Sequence, residues 1–106
     1  MSNEQHTLYN ALLKQIGLPE PFYEYKFHPA RNWRFDVAFP AHKIAIEFEG
    51  GIYKIGRHQR PSGFMADIEK YNEAVILGWR VLRVPTHLFK TGEFDVYLLL
   101  ERLINP

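Results

Sequence analysis

The sequence predicts an α/β fold in which a mixed central sheet is flanked by helices and followed by an extra C-terminal helix. Three observations carry that prediction. Three stretches of alternating apolar and polar residues follow one another between 22 and 49, separated by only a few residues each, which is the pattern of a meander of half-buried strands. Helical apolar spacing frames them on both sides. A last apolar stretch, WRVLRV, comes after the second helix, so it joins the sheet through a crossover and adds as a parallel strand. At 106 residues the chain fits one domain, 1–106, with one core of modest stability.

In chain order, SNEQHTLYNALLKQIG reads as a helix. Ser2 or Asn3 serves as its N-cap, Leu8, Leu12, Leu13 and Ile16 form its stripe, and Gly17 ends it. The prolines of the LPEP connector cannot continue it. FYEYKFH (22–28), WRFDVAF (33–39) and KIAIEFE (43–49) are the three strands, joined by turns short enough for hairpins. Residues 50–63, GGIYKIGRHQRPSG, carry four glycines and a proline and read as a loop. FMADIEKYNEAVIL (64–77) is a helix whose Phe64, Ile68, Tyr71 and Val75 share one face, expected to be buried, with Gly78 as its stop. WRVLRV (79–84) is a strand, PTHLFKTG a loop, and EFDVYLLLERLI (93–104) the last helix. The order is α-β-β-β-α-β-α.

Composition removes several functional classes. The formal net charge is only +1, so contact with nucleic acid would have to come from local patches. Without cysteine there is no disulfide, thiolate zinc site or cysteine nucleophile. His6, His28, His42, His58 and His87 include no H-x-x-x-H pair, so a histidine zinc site is not expected. No Walker-type loop, G-x-S-x-G or dinucleotide fingerprint occurs. No leader opens the sequence and no apolar run approaches the ~20 residues that span a bilayer, so a soluble cytoplasmic domain is expected.

Alternation sets Glu47 and Glu49 on one face of strand 43–49, opposite Ile44, Ile46 and Phe48. On strand 33–39, Arg34, Asp36 and Ala38 share a face, and Phe35 and Val37 take the other. In a hairpin of these two strands Asp36 would approach Glu47 and Glu49, although a slip of one residue would reverse the face. Three converging carboxylates are unfavourable unless protonated or bound to a cation, and their oxygens suit Mg²⁺ or Mn²⁺. Such an ion serves phosphodiester hydrolysis by stabilising transition-state charge and acidifying water. The plain alternative is an exposed face whose charges are solvated.

Asp36, ten intervening residues and then Glu47-Phe48-Glu49 resemble the motif of the PD-(D/E)xK nuclease superfamily, an acid on one strand followed by acid-x-lysine on the next. The element order over residues 4 to 84 is similar to that superfamily's αβββαβ core, which implies a restriction-endonuclease-like fold. More narrowly, WRFDVAFPAHKIAIEFEGG and the ending GWRVLRV resemble small phage and bacterial endonuclease-domain proteins related to the very-short-patch repair (Vsr-like) endonucleases. The resemblance implies a Mg²⁺- or Mn²⁺-dependent endonuclease acting on duplex, nicked or branched DNA. Its setting would be phage or bacterial DNA repair, recombination or processing in the bacterial cytosol, with a homodimer left open. Asp36 and Glu47 would hold the metal with the backbone carbonyl of Phe48. Glu49 stands where the superfamily usually has lysine, and would bind a second ion or position the water. Lys70, on the next helix, is the candidate replacement for that lysine, and Glu4 is a candidate further acid.

A helical wheel sets Lys70 on the polar side of its helix, so it is either a solvated lysine or a long side chain curling back to the sheet edge. Lys54, Arg57, His58 and Arg60 make the loop after the acids basic; it is either a phosphate clamp or an ordinary surface loop. Arg34, with Arg31 and Trp33, forms a second basic and aromatic cluster, where Trp33 reads as core rather than as a base-stacking platform. Arg80 and Arg83 lie on opposite faces of their strand, so at most one can point to the site. Asn72 is either a buried, hydrogen-bonded group or points at the site. The rival function is a catalytically inactive nuclease-fold module that binds nucleic acid or a protein partner. A second rival is an α/β interaction domain with solvated carboxylates.

Overall fold

The computed structural model of the chain describes residues 7–50 and 61–106. Short alternating stretches become the four strands: β1 (Phe22–Lys26), β2 (Arg34–Phe39), β3 (Ile44–Glu49) and β4 (Arg80–Pro85). They form one sheet in the order β1-β2-β3-β4, antiparallel across the first two pairs and parallel across the last. The expected meander with its parallel addition is therefore present. A 3₁₀ turn at Pro40–His42 joins β2 to β3 and ends on Lys43 in the left-handed region.

The helices are α1 (Asn10–Gln15), α2 (Pro61–Ile76), α3 (Thr86–Thr91) and α4 (Val96–Ile104). They cover both faces of the sheet. On one face Leu13 of α1 and Val96 and Leu100 of α4 pack on Val37, Phe39, Ile44, Ile46 and Val84. On the other, Ala74 of α2 and Leu77, just past its end, pack with Phe27, Phe35, Ala38, Ala45 and Trp79. α/β is thus the class, with helices on either side of a mixed sheet.

Gly17 and Gly78 do what their positions suggested. Each has positive φ, and the residue after each donates its amide to the carbonyl five positions back, Leu18 to Leu13 and Trp79 to Ala74. This closes the last turn of the helix and seats an apolar residue beneath it. The expected caps Ser2 and Asn3 lie outside the described residues, and the described part of α1 begins only after Tyr9. PTHLFKTG is not a plain loop: it contains α3, which buries Thr86 and ends on Gly92 with positive φ.

Two expectations about faces fail. Phe64, Ile68 and Val75 of α2 are exposed, and the helix instead turns Lys70 and Ala74 toward the sheet. Periodicity locates an apolar stripe but does not say what covers it. In β1 and β2, Tyr23 and Val37 join the core on the α1/α4 side, whereas the next pair along, Tyr25 and Phe35, joins the α2 side. Phe35 therefore does not share a face with Val37. Glu24, between the two tyrosines, has φ 51°, and a left-handed residue breaks the two-residue alternation of a strand.

Candidate active site at a fork in the sheet

The ladder between β2 and β3 pairs Phe39 with Ile44, Ala38 with Ala45 and Val37 with Ile46. One step further the register sets Asp36 across from Glu47, the arrangement the hairpin reading required. There the ladder stops, while β1–β2 runs on to Lys26 and Arg34 and β3–β4 runs on to Glu49 and Pro85. Side chains take over from the backbone at the fork. The Asp36 amide donates to Glu47 Oε2 at 2.9 Å, and the Phe48 amide donates to Asp36 Oδ2 at 2.7 Å. Each carboxylate thus satisfies a backbone donor that the splayed strands would otherwise leave without a partner.

From α2, the Lys70 ammonium donates to Glu47 Oε1, and the Tyr71 hydroxyl donates to the same oxygen at 3.0 Å. Glu47 is buried at 6 % exposure, so its charge needs these partners. Lys70 is also within 5.7 Å of the Phe35 ring centroid and 5.4 Å of that of Tyr71. The solvated-lysine reading of Lys70 is therefore replaced: its side of α2 faces the sheet, because the apolar stripe faces out.

Burial raises the Asp36 carboxyl above its ordinary value, against the Phe48 amide that lowers it; Glu24 adds a further upward push, and Lys70 and Glu47 lower it. Glu24 is a carboxylate that the sequence reading missed. Its place across β1–β2 from Asp36 follows from the pairs Tyr23–Val37 and Tyr25–Phe35. Burial, and then the charge of Glu47, push the Tyr71 hydroxyl well above its usual range, so it stays a donor.

Glu49 does not join the two buried acids. It is half exposed and pairs with Arg83 at 2.5 Å, and the Arg83 guanidinium lies 4.7 Å from the Tyr71 ring centroid. Of the two β4 arginines, Arg83 is the one on the site side, since Arg80 binds the carbonyls of His42 and Leu103. Among the described residues no three His, Asp or Glu side chains are placed to hold a metal ion. Asp36 and Glu47 are the two carboxylates that meet there, and such a pair could hold only an ion that keeps most of its waters, as Mg²⁺ does. Glu4 and the basic residues Lys54, Arg57, His58 and Arg60 lie outside the described residues.

Arg34 is exposed at the far end of β2, across from Lys26. Beside it, a cleft of about 420 Å³ is lined by His28, Arg31, Trp33, Glu69, Asn72 and Glu73 among others. Trp33 is half-buried, stacked on Phe27 at 6.3 Å, with the Arg31 guanidinium 4.0 Å from its ring centroid. Asn72 is exposed on the cleft wall and not buried. His28 accepts the Ala30 and Arg31 amides at Nδ1, so its Nε2 carries the proton donated to Glu73 at 2.8 Å. No protein-family model, curated protein or solved structure matches the chain, so a functional reading of it rests on the arrangement of its own residues.

Proposed function

We propose that the chain is a Mg²⁺- or Mn²⁺-dependent endodeoxyribonuclease of the PD-(D/E)xK type, acting on duplex, nicked or branched DNA in repair, recombination or processing. One observation carries the proposal: an acid from β2, an acid from β3 and a lysine from α2 meet at the fork, Asp36, Glu47 and Lys70. The lysine absent from the strand motif is supplied by the helix. Asp36, Glu47 and the Phe48 carbonyl would hold the metal, which would supply positive charge to the phosphate and acidify water. Phe48 N–H and Tyr71 fix the two carboxylates in orientation. The Lys70 ammonium would offset charge as it builds on the phosphate oxygens. Arg83, held at the rim by Glu49, would contact a neighbouring phosphate, so that the role of Glu49 would be to orient Arg83.

One observation favours the rival reading. Both oxygens of Glu47 already have protein partners, as in a satisfied structural network. On that reading the chain binds nucleic acid or a protein partner without cutting.

The test is incubation of the purified chain with Mn²⁺ and a panel of supercoiled, linear, nicked, branched and single-stranded DNA. Asp36→Asn is the comparison variant, with Lys70→Arg as a second that keeps the positive charge beside Glu47. Glu47→Ala and Lys70→Met are poor choices, because each breaks the buried ion pair, which costs about 3–5 kcal/mol and would confuse folding with chemistry. Cutting that falls by about 100-fold or more in Asp36→Asn is the expected result. Salt-dependent retention of DNA with none of it cut favours the binding module, and neither cutting nor retention removes both readings.

A further inference from the structure

On α2, Phe64, Met65, Ile68, Val75 and Ile76 are exposed at 57, 55, 38, 71 and 73 %. With the exposed Asn72 they fall within an arc of ~120° on a wheel of 100° per residue. The opposite side of the helix carries Lys70 and Ala74 against the sheet. A soluble helix ordinarily turns its apolar stripe inward. Here it points out, and among the described residues nothing covers it.

We propose that a second copy of this chain covers it, with two α2 helices packed antiparallel about a two-fold axis at residue 70. The spacing of the stripe is the reason. Its six positions are symmetric about 70: 64 with 76, 65 with 75, 68 with 72. A two-fold interface requires that when one residue meets another, the reverse contact occurs as well. An antiparallel pair centred on 70 meets that condition throughout, setting Phe64 on Ile76, Met65 on Val75 and Ile68 on Asn72 of the other copy. Residue 70 itself points away into its own sheet, so no lysine lies on the axis. Of the acids on the flank, Glu69 is paired with Arg31, and Glu73 accepts a hydrogen bond from the neutral His28 ring. Covering these five side chains on both copies removes on the order of 1,000 Å² from water, the size at which specific association begins.

The proposal does not depend on nuclease activity, and its test reads mass alone. Light scattering after size exclusion should give twice the chain mass for the full-length protein. Phe64→Lys and Ile76→Glu should each halve it, because each buries two unpaired charges per dimer. Both residues are exposed, so circular dichroism of the variants should match the parent. Mixing the two variants should restore the doubled mass, since the mixed dimer holds one Lys–Glu contact and one native Phe–Ile contact. A parent chain that stays monomeric to about 100 µM overturns the proposal and leaves the stripe to a different protein. A dimer that survives Phe64→Lys, or variants whose mixture stays monomeric, overturns it as well.

Discussion

Asp36 shows how a single residue of the fork sets chemistry against stability. Its carboxyl titrates above the ordinary 3.8, chiefly because it is buried. The folded chain therefore holds that proton more tightly than the unfolded chain. The stability linked to this group is present below the unfolded value and is lost as pH rises through the folded value. Asp36→Asn keeps an acceptor for the Phe48 amide but has no proton to lose. The variant should melt higher than the parent at pH 7, and that gap should close on acidification to about pH 3.5. A gap that stays constant across the window would show that Asp36 is not strained by burial. Its partner Glu47 is a different case, with both oxygens engaged by donors. Removing it strands a lysine, an amide and a phenol together. The acids themselves were legible in the sequence because strand alternation and a short hairpin fix their register. Lys70 was legible only as a residue type, since its direction depends on which face of α2 meets the sheet.

Among the elements, the strands and the two glycine stops were readable to within about two residues, because alternation and helix termination are local. The errors arose where a distant contact or an unusual backbone angle decided the outcome. The short α3 has too little apolar pattern to announce itself, and α2 was turned the wrong way round because its stripe was assumed to be internal. β1 is the clearest instance. Nothing in FYEYKFH signals that Glu24 adopts φ 51°, the point at which Tyr23 and Tyr25 part to opposite cores, as Val37 and Phe35 do on the neighbouring strand. A left-handed conformation is costly for a residue with a Cβ and free of that cost for glycine. Glu24→Gly should therefore stabilise the chain by about 0.5–1 kcal/mol, after allowance for the extra freedom of glycine when unfolded. It also removes a negative charge facing Asp36. Urea unfolding measures the change, and a clear loss of stability would mean that the Glu24 side chain makes up for its backbone.

For the whole molecule, no helix among the described residues is long and apolar enough to cross a membrane. If two copies pair through α2, the fork of each lies on the far side of its own helix, facing away from the other. The two candidate sites then cannot reach opposite strands of one duplex at the same step. Supercoiled plasmid should pass through an accumulating nicked circle before it becomes linear, and direct conversion to linear product would contradict this arrangement. The fork has a mechanical meaning too. The four strands are one continuous ladder only where residues 37–39 meet 44–46; past that seam the sheet is two separate ribbons, pinned by side chains alone. A pair of tongs has the same construction, a short rigid joint and two jaws. Spreading the jaws would break no backbone-to-backbone bond between β2 and β3, only the bonds from the Asp36 and Phe48 amides to Glu47 and Asp36, so these two carboxylates are the latch that holds the fork shut.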